Sequence, residues 1–178
     1  PLISGVFSSK EPSQEKLESV EKDWKDSLSE YNTMILTIAR SGGENRTYYP
    51  GEDGINQDQD LNQADPLGLS DDERDLIAAA AEAKEKNGGK LILLLNNASA
   101  MEIEEIKEND AVDAILQIGF PGGYGFYGVA DILSGEENPS GHLTDTYAVD
   151  NSLSPAAQNY GIYEYTNADA DNSINSVQ

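Results

Sequence analysis

The sequence contains no cysteine, a single histidine and only 11 basic residues. The lack of cysteine excludes disulfides, a thiol nucleophile and a thiolate metal site. No apolar run approaches the roughly 20 residues that a membrane-spanning helix requires. Acidic residues number 33, so the formal net charge is −22, which disfavours nucleic acid and anionic lipid as partners. A neutral partner such as a sugar is compatible with this surface.

The sequence also lacks an initiator methionine and a signal peptide, because no basic stretch precedes an apolar one in residues 1–5. We therefore expect a piece of a longer protein. An acidic chain without cysteine is compatible with the cytoplasm and with the cell exterior, so the compartment stays open.

Hydrophobic patterning predicts alternating helices and strands. Residues 33–39 and 91–95 are apolar and uncharged, which is typical of strands buried on both faces, and residues 111–118 are expected to form a third strand. An amphipathic helix with Ser13 as its cap is predicted over residues 13–31. Its apolar residues recur at three- and four-residue spacings: Leu17, Val20, Trp24, Leu28 and Tyr31.

Capping signals mark three further helices. Residues 70–73 form a capping box, and Gly88 ends the helix that this box opens. Residues 99–102 resemble a second capping box, which predicts a short helix. A last helix is predicted from about residue 124 to residue 133, with Gly135 as its end.

This alternation predicts an α/β fold: a three-layer sandwich around a mostly parallel sheet of the flavodoxin-like, doubly wound type. Three strands are few for such a sheet and the alternation opens with a helix, so we expect at least one N-terminal strand to be missing. Residues 143–147 are expected to add an edge strand. One domain is predicted over residues 1–165, followed by a polar tail over residues 166–178.

A glycine-rich turn carries the pattern G-x-G-x-x-G at Gly123, Gly125 and Gly128. It follows a strand and opens a helix, as a dinucleotide fingerprint does. However, the strand is the last predicted one, and the rings of Phe126 and Tyr127 occupy positions near the expected pyrophosphate. We favour glycines that let the helix start close to the sheet, and predict no cofactor. A nucleotide-binding module is the alternative.

The polar segment 40–69 is predicted to be an unusually long loop, and such loops are often functional. Its acidic residues do not follow the order of an EF-hand loop, so no metal site is predicted. They are Glu52, Asp53, Asp58, Asp60 and Asp65. His142 is expected in an exposed turn, and one histidine without a nucleophile elbow gives no Ser-His-Asp triad.

Glu44 lies in this loop, close after the first predicted strand. Sites form at the carboxyl ends of parallel strands. Cover by a partner domain would raise the pKa of a carboxyl there, as a general acid requires. The competing interpretation is an exposed turn glutamate, which spacing alone favours among 33 acidic residues.

Four stretches together resemble the C-terminal α/β sandwich domain of family 3 glycoside hydrolases. A buried strand runs into an Arg-x-Ser-Gly-Glu type loop at residues 33–44. A second strand continues into Asn-Asn-Ala over residues 91–98, and a third runs into a Pro-Gly turn over residues 112–123. Residues 130–146 read ADILSGEENPSGHLTDT, which matches the most specific motif of the family.

The resemblance implies a retaining β-glycosidase that acts through two carboxylates on a β-linked glycoside or oligosaccharide. The nucleophile would be an Asp on an N-terminal barrel domain that this chain does not contain. The position that matches the acid/base is Glu44. Because the loop is one glycine longer than the usual Ser-Gly-Glu-Gly, Glu52 is the second candidate. Arg46 and Tyr48 are expected to contact the sugar.

The isolated chain is expected to turn over little or nothing, since one carboxylate would be missing. A non-catalytic carbohydrate-binding or interdomain structural module of the same fold is the alternative function.

Overall fold

A computed structural model describes residues 12–40 and 67–155. Within them lies one parallel sheet of three strands in the order β1-β2-β3. The strands are β1 (Thr33–Ala39), β2 (Lys90–Asn96) and β3 (Ala114–Gln117). The helices are α1 (Gln14–Val20), α2 (Trp24–Leu28), α3 (Asp71–Asn87), α4 (Glu104–Lys107) and α5 (Gly122–Ser134), with a 3₁₀ turn at Asn151–Leu153. The predicted α/β class is confirmed.

The first face of the sheet forms the core. Register pairs Met34 with Leu91 and Ile38 with Leu95, so the same alternate residues of β1 and β2 point to one side. This side packs against α3 and α4. The fully or nearly fully buried side chains of the two core clusters are Met34, Ile38, Leu69, Ile77, Ala80, Ala83, Leu91, Leu93, Leu95, Met101 and Ile106.

The second face of β1 is open, which corrects the prediction of a strand buried on both sides. Ile35 is 45% exposed, and Thr33 and Thr37 beside it are exposed as well. No element within residues 12–40 and 67–155 covers these side chains. The prediction for β2 is confirmed for most of the strand, because Leu91, Leu93, Leu94 and Leu95 are all buried.

The single helix predicted over residues 13–31 is two helices. Ser13 caps α1 as expected, since its Oγ accepts a hydrogen bond from the Lys16 N–H. The backbone then turns at Glu21, which is extended. None of α1 is buried, whereas Trp24 at the start of α2 is. Short helices depend on packing for their stability. The helix is therefore interrupted at a point that allows Trp24 to be buried.

The predicted ends of α3 are confirmed. Ser70 Oγ accepts from the Glu73 N–H at 3.2 Å, and Glu73 Oε2 accepts from the Ser70 N–H at 2.7 Å. These two bonds satisfy donors that the first turn of a helix leaves free. At the other end Gly88 has a φ of 70°, a left-handed conformation that glycine adopts without strain.

The short helix predicted after residues 99–102 is present as α4, but the capping box predicted at those residues is wrong. Helix α4 begins at Glu104, and Ile103 at its N-cap has no side-chain bond. Burial of Met101 holds this stretch in the core. The Glu102 carboxylate instead accepts a hydrogen bond at 2.5 Å from the Asn151 N–H, 49 residues later in the chain.

Two strand predictions near the C-terminal side also need correction. Residues 143–147 form no strand, and Tyr147 packs against the core cluster from an irregular segment. The third strand covers only Ala114–Gln117. Backbone bonds to β2 continue just outside it, since the Asp113 N–H donates to the Leu91 carbonyl at 2.9 Å. The last helix spans Gly122–Ser134 and ends at Gly135, as predicted.

Asp113 ties α3 to the first residues of β2 and β3. Its carboxylate accepts from Lys84 Nζ at 2.7 Å, from the Leu91 N–H at 2.8 Å and from Lys90 Nζ at 3.2 Å. Lys84 Nζ also donates to the Ala111 carbonyl at 2.7 Å. The hydrogen bond from Lys84, and next that from Leu91, hold the pKa of Asp113 well below its usual range.

We expect Leu93→Ala to lower the free energy of unfolding by about 3 kcal/mol, because it leaves a cavity in a fully buried site. Leu153→Ala removes the same atoms from a side chain that is 71% exposed and should change stability by less than about 0.5 kcal/mol. Urea titration of both variants measures the difference. Equal losses would show that Leu93 is not a core residue.

Asp113→Asn should lower the urea midpoint at neutral pH. A depressed pKa contributes stability above the unfolded value of about 3.9, and this contribution disappears as pH falls through the folded pKa. The gap between wild type and variant should therefore narrow below about pH 4. Asp110→Asn, which removes an equal charge from an exposed site nearby, serves as the control. A gap that stays constant down to about pH 2 would contradict this account.

Candidate functional site

The carboxyl ends of the three strands lie together at one edge of the sheet, because all three strands are parallel. Arg40, Asn97 and Ile118 follow β1, β2 and β3 at this edge. Ligands of open α/β sheets bind outside this edge. It is therefore the first place to look for a site.

Arg40 forms a buried ion pair with Glu73 of α3. Both residues are 2% exposed. Nη1 donates to Glu73 Oε1 at 2.5 Å and Nη2 donates to Oε2 at 2.9 Å, so the contact is bidentate. The guanidinium also donates to the carbonyls of Ala39 and Gly68, at 2.8 and 2.7 Å. One side chain thus joins β1, residue 68 and the start of α3.

The chain is held again where it returns from segment 41–66. The Leu67 carbonyl accepts from the Glu102 N–H at 2.9 Å, Leu69 is buried in the core cluster, and Ser70 belongs to the capping box of α3. Four successive residues therefore have fixed positions next to Arg40.

A second cluster of polar side chains lies at the carboxyl ends of β2 and β3. Gln117 Nε2 donates to the Asn97 carbonyl at 3.0 Å and to Asn97 Oδ1 at 3.3 Å. Asn97 is fully buried and donates in turn to Met101 Sδ at 3.1 Å. Asn96 Nδ2 donates to the Gly119 carbonyl at 2.5 Å. The Oε1 atom of Gln117 is buried and has no partner among the described residues.

A cavity of about 970 Å³ opens beside this group. Its walls are the end of β3, one side of α5 and the segment 137–145, and Gln117, Val129 and His142 line it. His142 is exposed, as predicted.

Within the described residues no group of three or more His, Cys, Asp or Glu side chains is arranged to hold a metal ion. None of the described helices combines the length and the hydrophobicity that spanning a bilayer requires.

The predicted site residues Glu44, Glu52, Arg46 and Tyr48 lie outside the described residues, as do the five loop acids considered for calcium. The structure places both ends of their segment, at residues 40 and 67, on the carboxyl edge of the sheet. Sequence reasoning missed the pair of Arg40 with Glu73. The sequence features that could have indicated this pair are an arginine directly after a strand and a glutamate in a capping box, 33 residues apart.

The geometry of the glycine-rich turn does not fit a dinucleotide fingerprint. Gly123, Gly125 and Gly128 all lie inside α5, which begins at Gly122. In the fingerprint the first two glycines lie in the turn before the helix, where the backbone approaches the pyrophosphate. The aromatic residues between these glycines are exposed, Tyr124 by 91%.

We expect opposite effects from alanine at two of these glycines. A Cβ at Gly125 would lie 2.9 Å from the Pro121 Cβ, so the first turn of α5 must shift and stability should fall. A Cβ at Gly128 meets nothing within 4 Å, and alanine there should add about 0.5–1 kcal/mol through helix propensity. Thermal or urea unfolding of Gly125→Ala and Gly128→Ala decides. Stabilisation by both would refute the close approach at Pro121.

Similar proteins point to one family. The pattern of the glycosyl hydrolase family 3 C-terminal domain matches residues 11–174. The structure of β-glucosidase 3B from Thermotoga neapolitana in complex with glucose superposes with a TM-score of 0.63 at 31% identity, over 79% of this chain and 18% of that one.

Curated relatives give the same picture over shorter stretches. A β-xylosidase/α-L-arabinofuranosidase of Medicago sativa is 37% identical over 59 residues, which are 33% of this chain and 8% of that protein. A periplasmic β-glucosidase of Salmonella typhimurium is 37% identical over 77 residues, which are 43% of this chain and 9% of that protein. The match thus spans about a tenth of these relatives. Since the family pattern covers nearly the whole sequence, the chain belongs to the glycosyl hydrolase family 3 C-terminal domain family.

Proposed function

We propose that this chain is the second domain of a retaining β-glycosidase and that Glu44 supplies the acid/base carboxylate. The observation that carries the proposal is the position of Arg40. Arg40 directly follows β1 at the carboxyl edge of the sheet, inside the stretch that matches the family. Glu44 follows four residues later. The nucleophile, an Asp, would belong to an N-terminal barrel domain of the longer protein.

Retention requires two carboxyl groups about 5–5.5 Å apart. Glu44 would first protonate the leaving oxygen and then, as a carboxylate, remove a proton from the water that releases the sugar. The barrel domain would cover the segment and exclude water, which raises the pKa of a carboxyl and keeps it protonated for the first step. Arg46 and Tyr48 would contact the sugar from the same segment.

The substrate class that fits is a β-linked glycoside with a neutral sugar. Relatives of this chain are named as β-glucosidases and β-xylosidases. A surface with a formal charge of −22 presents no obstacle to a neutral substrate.

The test uses the full-length protein, with Glu44→Gly as the variant and a 2,4-dinitrophenyl β-glycoside as the substrate. This leaving group needs little protonation, so glycosylation should survive while deglycosylation slows by about 100-fold or more. Azide needs no general base. It should restore turnover and yield a β-glycosyl azide, which is detected by NMR.

Glu52→Gly is the matched control, since Glu52 lies in the same polar segment. It should keep full activity. If Glu52→Gly instead shows azide rescue, Glu52 is the acid/base. If neither variant does so while the wild type is active, neither Glu44 nor Glu52 is the acid/base. A wild type that cleaves no glycoside in a broad panel would leave the sugar-binding or interdomain module as the function.

A further inference from the structure

The deep burial of the Arg40–Glu73 pair calls for an explanation beyond stability. Removing two charges from water costs about as much as their attraction returns, and a well-packed hydrophobic pair of similar volume often serves as well. Here both partners are 2% exposed. A role in placing other groups accounts for the pair better than its net contribution to folding does.

Two backbone partners of the guanidinium lie at the two ends of segment 41–66. Ala39 is the last residue of β1, and Gly68 is the second residue after the segment. Nη1 and Nη2 also bind both oxygens of Glu73. The residues on either side of segment 41–66 are therefore fixed to each other and to the first turn of α3.

Chain length limits how far a residue can lie from this fixed point. Glu44 lies four positions after Arg40, so their Cα atoms are at most about 14 Å apart even in an extended chain. For Glu52, twelve residues away, the limit is about 40 Å. Of the two candidate carboxylates, Glu44 is therefore the one whose position is limited more closely by the end of β1.

We propose that the Arg40–Glu73 pair positions the acid/base carboxylate of the domain, acting through the end of β1. This inference rests on the proposed function of Glu44. The pair touches no substrate. Its effect is on the distance between the acid and the leaving oxygen, and a misplacement of about 1 Å can lower a rate by about 100-fold.

Leaving-group chemistry separates positioning from a structural role. A misplaced acid slows the cleavage of phenyl β-glycosides, which need protonation, and has little effect on 2,4-dinitrophenyl β-glycosides, which do not. A loss of folded enzyme lowers both rates by the same factor.

The experiment measures kcat/KM for both substrates in the full-length enzyme carrying Arg40→Met together with Glu73→Leu. Both residues change, because a single replacement would leave a buried charge without its partner. We expect about a 100-fold loss on the phenyl glycoside and less than about a threefold loss on the dinitrophenyl glycoside. Arg40→Lys, which keeps the charge but lacks the planar fork, should show the same selectivity at about 10-fold and covers the case in which the double variant fails to fold.

The control replaces a more exposed ion pair between Arg74, the residue after Glu73 on α3, and Glu105 of α4. Arg74 binds Glu105 through Nε and Nη2 at 2.9 Å each, and Arg74→Gln with Glu105→Gln should leave both rates unchanged.

Equal losses on the two substrates, or no loss on either, would overturn the positioning role. Glu44→Gly in the same enzyme keeps the two proposals apart. If it shows azide rescue while the double variant shows no selectivity, only the positioning inference fails. If it shows no rescue, the proposed function fails.

Discussion

A guanidinium and a carboxylate that are buried together constrain everything around them. Because Arg40 and Glu73 are shielded from water, protein groups must provide their hydrogen bonds. This requirement fixes the relative positions of β1, Gly68 and the first turn of α3. Loss of one partner of such a pair costs about 3–5 kcal/mol, against a total stability of about 5–15 kcal/mol for a typical domain. The start of α3 and the edge of the sheet therefore form one structural unit.

The sheet itself is covered unequally. Its first face carries the two core clusters under α3 and α4, whereas Ile35 on the second face is 45% exposed. Parallel sheets are usually covered on both faces, because their crossovers place helices there. Within the described ranges, the sequence of β1 is thus more apolar than its surroundings require.

Local signals predicted the local features. The limits of β1, the capping box of α3 and the glycine ends of α3 and α5 follow from residues within one turn of each feature, and they are confirmed. The break after Val20 and the use of Glu102 by Asn151 depend on competition between distant groups. So does the pairing of Arg40 with Glu73. Periodicity does not register such contacts, because it compares each residue only with its neighbours. The site residues Glu44, Glu52, Arg46 and Tyr48 stay predictions.

The composition of α5 has a consequence for motion. Four of its 13 residues are glycines, and each lowers helix stability by about 1 kcal/mol relative to alanine, while only Val129 is buried. Helix α3 has five alanines, caps at both ends and three buried apolar side chains. Segments with few buried contacts open at low free-energy cost. Helix α5 is therefore expected to move at a lower free-energy cost than α3 or the sheet. Such a movement would change the shape of the cavity beside Gln117 and leave the sheet intact.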